Sequence, residues 1–240
     1  MIRSTIPVEP PAYDFAEFRL PDRIGRMGGC LQRTTKCGAI EGVPRWAGFE
    51  ACPVLPIEEL TASPSKRAYQ WNTNDQNGYP SCTLTSKANV AEIAMAENGW
   101  KRRNVDWYYV WRLLSGGRGG VALDTAVRYL SEKGFPVLDD SGKVVGTIKI
   151  VEAWDIPTIQ AGFSAVKKGY TLWYGASGHA EGGYSILDDG RSLDVCGTWG
   201  SDYGDGGWYP RAWNYIAAGL PYYGAFATRA WELQEIDLPS

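Results

Sequence analysis

The chain has a single histidine, His179, and only three methionines among its 240 residues. One histidine cannot furnish a multi-histidine metal centre. The five cysteines (Cys30, Cys37, Cys52, Cys82, Cys196) contain no CxxC pair. Neither a metal nor any other cofactor is therefore expected. Their odd number and irregular spacing do not make a secreted disulfide framework, although Cys30 and Cys37 could pair with each other or with Cys52. No basic run exceeds Lys101-Arg102-Arg103 and the net charge is −3, so a nucleic-acid footprint is unsupported. No apolar run is long enough to cross a bilayer, and the first residues, Met1 to Pro7, lack the apolar centre of a secretory signal. The expectation is no membrane partner and a cytoplasmic or intracellular location.

What is present is aromatic: eleven tryptophans and fourteen tyrosines, ample for a rigid core. Residues 1–22 read as an extended arm, because Pro7, Pro10, Pro11 and Pro21 forbid a stable helix across it. Its Tyr13, Phe15, Phe18 and Leu20 call for burial on the chain itself or on a partner. Residues 23–70 read as irregular and packed on the core. From residue 82 the spacing of Leu84, Ala88, Ala91 and Met95 predicts a helix, preceded by Pro80-Ser81 and stopped by Asn98-Gly99. Further helices are expected over 104–114, 119–133 and 154–168. Strands are expected over 135–138, 147–151, 170–174, 180–187 and 192–196, with Asp188-Asp189-Gly190 as the turn between the last two. Helices lead and strands follow, which is the order of an α+β chain. The expected division is a helical lobe over 71–134 and a β-rich lobe over 135–240.

Cys82 is placed at the start of the first long helix, where unsatisfied amides and the helix dipole favour a thiolate. Read alone, it is as well explained as an inert buried thiol, and His179 as a structural histidine. Gln76 stands six residues earlier. From there its amide could donate to a developing oxyanion beside the Cys82 N–H. A third segment, Gly197-Thr198-Trp199-Gly200-Ser201-Asp202-Tyr203-Gly204-Asp205-Gly206-Gly207-Trp208, has a glycine and aromatic spacing that an ordinary loop does not require.

These three segments, in this order, resemble the papain-like cysteine peptidases, whose pattern is Q-x5-C opening a helix, a strand-leading H-A, and N-S-W-G-x-x-W-G-x-x-G-Y. Gln76, Ser81 and Cys82 match the first part and His179-Ala180 the second. Trp199, Gly200, Tyr203, Gly204, Gly207 and Trp208 match the third with aromatic replacements. The resemblance covers about residues 70–210. It implies an α+β fold of two lobes, the second antiparallel and barrel-like. Cys82 would be the nucleophile, His179 the base and Gln76 the oxyanion donor, with Trp199 shielding the histidine. The family's orienting Asn falls at Gly197, which has no side chain to do that work. Asp194 and Asp202 are nearby substitutes, although strand alternation turns Asp194 away from the face of residue 197. Thr83 and Tyr79 stand where the family has an aromatic residue and a disulfide cysteine. His179 follows Cys82 by 97 residues, against about 130 in the family, so loops must be shorter.

The function implied is a cysteine hydrolase cleaving a peptide or amide bond, with a polypeptide as its substrate. Two other readings stay open. One is a catalytically weak papain-fold assembly protein, such as a particle component, that binds a protein partner or forms an oligomer through residues 1–22. The other is a C39-like processing peptidase, which the Trp199-Gly200 motif disfavours.

Overall fold

The computed structural model describes residues 30–35, 43 and 54–236. The proline-rich arm, Cys37 and Cys52 lie outside the described residues. In chain order the elements are β1 (Cys30–Leu31), α1 (Cys82–Glu97), β2 (Asn104–Val105), α2 (Trp107–Ser115), β3 (Val121–Ala122), α3 (Leu123–Glu132), β4 (Phe135–Leu138), β5 (Val144–Ile150), β6 (Ala153–Asp155), α4 (Ile159–Lys167), β7 (Thr171–Ala176), β8 (His179–Ile186), β9 (Ser192–Cys196), β10 (Trp208–Ala212), α5 (Trp213–Tyr223), β11 (Ala225–Thr228) and β12 (Trp231–Glu235). Short 3-10 turns at Ile57–Glu59 and Arg67–Tyr69 precede α1.

Helix α1 forms where the alanine-rich stretch predicts it. Its sequence looked one-sided, yet every residue from Cys82 to Met95 is buried. A helix covered on all faces cannot reveal its neighbours through amphipathic spacing. One long side lies on β7 and β8, and α2 and α3 pack elsewhere around it. Asn98 and Gly99 end it, with Gly99 at φ +69°. Ser81 sits at the N-cap, but its hydroxyl makes no cap bond. It faces the Thr85 hydroxyl at 3.2 Å instead.

Six strands form one sheet in the order β10-β9-β8-β7-β11-β6, antiparallel throughout. It is open, with β10 and β6 at its ends, an antiparallel sheet compatible with the expected α+β fold. The alternation of β7 divides the core. Trp173 faces the cluster around α1, while Leu172, Tyr174 and Ala176 face a second cluster with Phe163 of α4 and Ile216 of α5. A second sheet, β12-β5-β4-β2, brings the last described strand beside β5, 80 or more residues earlier in the chain.

The expected helix over 154–168 is corrected. Residues 153–155 are strand β6, and α4 begins at Ile159 behind a Thr158 cap whose hydroxyl accepts from the Ala161 N–H at 3.2 Å. Pro157 is the physical reason, since it drives the residue before it out of helical geometry. The three described cysteines, Cys30, Cys82 and Cys196, are buried and form no disulfide with one another. Tyr79 packs its ring against Tyr108 and Trp111 at 5.1 and 5.2 Å. No described helix is long and apolar enough to cross a membrane.

Candidate active site

The turn between β7 and β8 delivers His179. Ala176 and His179 are paired across a two-residue turn of Ser177 (φ +51°) and Gly178 (φ +76°). Positive φ at both turn residues matches the twist of a tight hairpin, and glycine supplies one of them without strain. The next residue, Ala180, donates its N–H to Cys82 Sγ at 3.3 Å. The first strand residues of β8 and the first residue of α1 are thereby joined. The structure brings the segment that carries His179 to the Cys82 sulfur, although 97 residues separate the two in sequence.

Gln76 arrives by a second turn. Asn77 (φ +50°) and Gly78 (φ +79°) reverse the chain, and the Tyr79 N–H donates to the Gln76 carbonyl at 2.8 Å. The Gln76 N–H donates to the Thr198 carbonyl at 2.8 Å, and its side-chain Nε2 donates to the Tyr79 carbonyl at 2.8 Å. Thr198 links the two motifs. Its hydroxyl donates to Gln76 Oε1 at 2.6 Å and lies 3.4 Å from His179 Nε2. With its proton committed to Gln76, Thr198 Oγ1 is left to accept from Nε2–H, which favours the tautomer with a bare Nδ1. His179 Nδ1 is buried with no hydrogen-bond partner. Trp199 stacks on the imidazole at 4.8 Å with 26° between planes.

Gly197 carries no side chain, and the space is taken. A Cβ there would stand 2.6 Å from the Tyr209 ring. Neither aspartate weighed from the sequence replaces the missing amide. Asp194 is held by Arg67 at 2.7 and 2.8 Å, and Asp202 lies exposed in the turn after Gly200. The carboxylate near the ring is Glu181, two residues along β8 on the same face, with Oε1 3.9 Å from Nε2. The period of two from His179 was its only signal in the sequence. Asn89, two turns of α1 beyond Cys82, was also silent. It donates to the Gly197 carbonyl at 2.8 Å and accepts from Asn74, tying both site segments to the helix.

Burial holds His179 below its ordinary value of 6.5. Glu181 pulls it up and Arg211 pushes it down. The imidazole is therefore neutral near pH 7 and able to take a proton. Glu181 is itself kept ionised despite its burial, chiefly by Arg211.

Cys82 and His179 are 0 % and 6 % exposed. One reason is the segment 30–35. Cys30 donates its N–H to the Gly178 carbonyl at 3.0 Å, while β1 pairs with β3 on the other side of the α1 start. Thr34 and Thr35 give four hydrogen bonds of 2.7 to 2.9 Å to Asp124 Oδ2, and Arg33 pairs with Asp155 at 2.8 Å. The segment spans the two sides of the site like a strap. Beside Trp199 an open recess of about 480 Å³ is lined by Thr73, Asp75, Gly200, Ser201, Asp202 and Tyr203. Among the described residues no three His, Cys, Asp or Glu side chains gather to hold a metal ion.

No protein-family model matches this chain, and no curated protein matches it in sequence. Solved structures do. Digestive procathepsin L 3 of the Tenebrio molitor larval midgut superposes with a TM-score of 0.60 at 15 % identity, over 81 % of this chain and 75 % of that one. Procathepsin B S9 from Trypanosoma congolense gives 0.60 at 14 % identity, over 86 % and 88 %. Xylellain, a cysteine protease from Xylella fastidiosa, gives 0.51 at 14 % identity, over 86 % and 99 %. Likeness at this identity shows a shared architecture.

Proposed function

We propose that this chain, which has the papain-like fold, is a cysteine hydrolase that cleaves a peptide or amide bond with Cys82 as nucleophile. The observation that carries the reading is the joint placement of Cys82, His179 and Gln76. Ala180 N–H reaches the Cys82 sulfur, and Thr198 ties the imidazole to the Gln76 amide. The neighbours' printed names, cysteine protease and procathepsin, support the same reaction class.

In the resting state the imidazole is neutral. As substrate approaches, Nδ1 takes the Cys82 proton and the sulfur attacks the carbonyl carbon. The carbonyl electron pair moves to oxygen, where the Cys82 N–H and a Gln76 amide hydrogen stabilise it. When the oxyanion collapses the C–N bond breaks, and the leaving amine takes the proton from Nδ1. Water, deprotonated by the same nitrogen, then hydrolyses the thioester and frees Cys82. The strap over residues 30–35 must move before a polypeptide can enter.

The test is hydrolysis of an unfolded polypeptide mixture, followed by mass spectrometry, by the full chain and by Cys82→Ala and Gln76→Ala. The reading expects new termini from the unmodified chain and none from Cys82→Ala. A Gln76→Ala rate lower by about 10²-fold would match the loss of one oxyanion donor. Cleavage that persists in Cys82→Ala contradicts the reading. The assembly alternative draws on residues 1–22, and no observation among the described residues favours it.

A further inference from the structure

We propose that Glu181, clamped by Tyr174, Tyr209 and Arg211, is the positioning residue for His179, doing through a buried carboxylate what the fold's relatives do through an amide at the position of Gly197. The inference rests on the reading of Cys82 and His179 as a reacting pair.

Two observations carry it. The first is the clamp. Glu181 is 1 % exposed. Tyr174, its cross-strand partner on β7, donates to Oε2 at 2.7 Å, and Tyr209 donates to Oε1 at 2.8 Å. Arg211 adds bonds from Nε at 2.8 and 3.1 Å and from its terminal nitrogen at 2.7 Å. Every donor fixes the carboxylate plane, so Oε1 is held 3.9 Å from His179 Nε2. A buried carboxylate with this many donors is satisfied and rigid. The second is the exchange of volume between Gly197 and Tyr209. The residue whose ring fills the space beside Gly197 is also one that grips Glu181. The packing that leaves no room for a side chain at 197 is therefore also the packing that holds the carboxylate.

Thr198 Oγ1 and Glu181 Oε1 then flank Nε2, and both favour a proton on it. That leaves Nδ1 bare, the nitrogen the proposed reaction assigns to the Cys82 proton. The other charged or titratable groups around the ring are Cys82 on α1, Tyr174 on β7, Tyr209 and Arg211 on β10, Tyr203 and Asp75 beside Trp199, and Tyr215 on α5.

Because His179 is the sole histidine, ring-labelled histidine gives one set of NMR signals in the full chain, and both its titration midpoint and its tautomer can be read directly. Glu181→Gln removes the carboxylate charge and leaves Arg211 facing the ring. The midpoint should fall so that the protonation constant drops about tenfold, with a mixed tautomer at neutral pH. Tyr209→Phe keeps the charge and frees Oε1 to draw on Nε2–H, so the midpoint should rise. Where Glu181→Gln does not fold, the Tyr209→Phe shift alone decides. A folded Glu181→Gln with unchanged midpoint and tautomer overturns the inference, as does a Tyr209→Phe with no shift. In hydrolysis, Glu181→Gln should lower kcat about tenfold with KM unchanged. NMR shifts as expected with a chain that never hydrolyses would sink the hydrolase reading while leaving the positioning role. Hydrolysis with an NMR-silent Glu181→Gln would do the reverse.

Discussion

Lys87 offers a stringent test of how α1 is buried. Its side chain is wholly enclosed, and its Nζ donates to the Thr228 hydroxyl at 2.6 Å. The nitrogen lies 4.8 Å from the Trp173 ring and 5.1 Å from the Trp231 ring. No carboxylate pairs with it among the described residues, and burial drives its pKa well below the ordinary lysine range. The unfolded chain holds this proton up to about pH 10.4, so between the lowered value and that point folding releases it. Stability contributed by this site must therefore rise with pH, by about 1.4 kcal/mol per pH unit where release is complete. Lys87→Met keeps the length and apolar stem and deletes the titration. Urea unfolding of both proteins at about pH 8 and about pH 9.5 should show the variant's advantage shrinking by about 2 kcal/mol across that interval. Taking the difference removes the buried tyrosines, which titrate alike in both. Two stability curves that run parallel over the interval would refute an uncharged, buried Lys87.

Three further outcomes follow from the site. Asp124→Ala deletes the acceptor for Thr34 and Thr35, and at about 1 kcal/mol per lost bond the strap should loosen enough to raise Cys82 alkylation by iodoacetamide at least about tenfold, read on the Cys82 peptide by mass spectrometry. Gly197→Asn drives a Cβ into the Tyr209 ring and should cost about 1–3 kcal/mol in thermal unfolding, part of it recovered in Gly197→Asn with Tyr209→Ala. For acid sensitivity the sign is fixed by His179, whose folded value lies below 6.5. The unfolded histidine binds a proton that the folded one refuses, so stability falls as pH drops below about 6.5, and His179→Gln should remove that part of the slope in urea titrations.

Much of the site was legible because its chemistry is local in sequence. Cys82 opens a helix that alanine content and the Asn98-Gly99 stop define, and Gln76 lies one turn ahead of it. His179 follows a Ser-Gly turn, and strands β7, β8 and β9 fall within a residue or two of their expected limits. What stayed hidden depends on pairing at long range. Glu181 matters because Tyr209 and Arg211 of β10 close on it, and no spacing in the chain announces that. Strand β12 pairs with β5 across 80 residues, and α5 forms around Gly219 and Pro221, both poor helix formers. The buried polar face of α1, with Asn89 and Lys87, mimics a surface in any pattern based on polarity.

The most direct measurement is the rate at which iodoacetamide alkylates Cys82 near pH 7, compared between His179→Gln and the histidine-bearing chain, both carrying Asp124→Ala so that the strap is equally loosened. If the neutral imidazole takes the thiol proton, the His179→Gln rate should be lower by about 10²-fold, while labelling of Cys30 and Cys196 stays the same in both. Equal Cys82 rates in the two proteins would contradict the account at its centre.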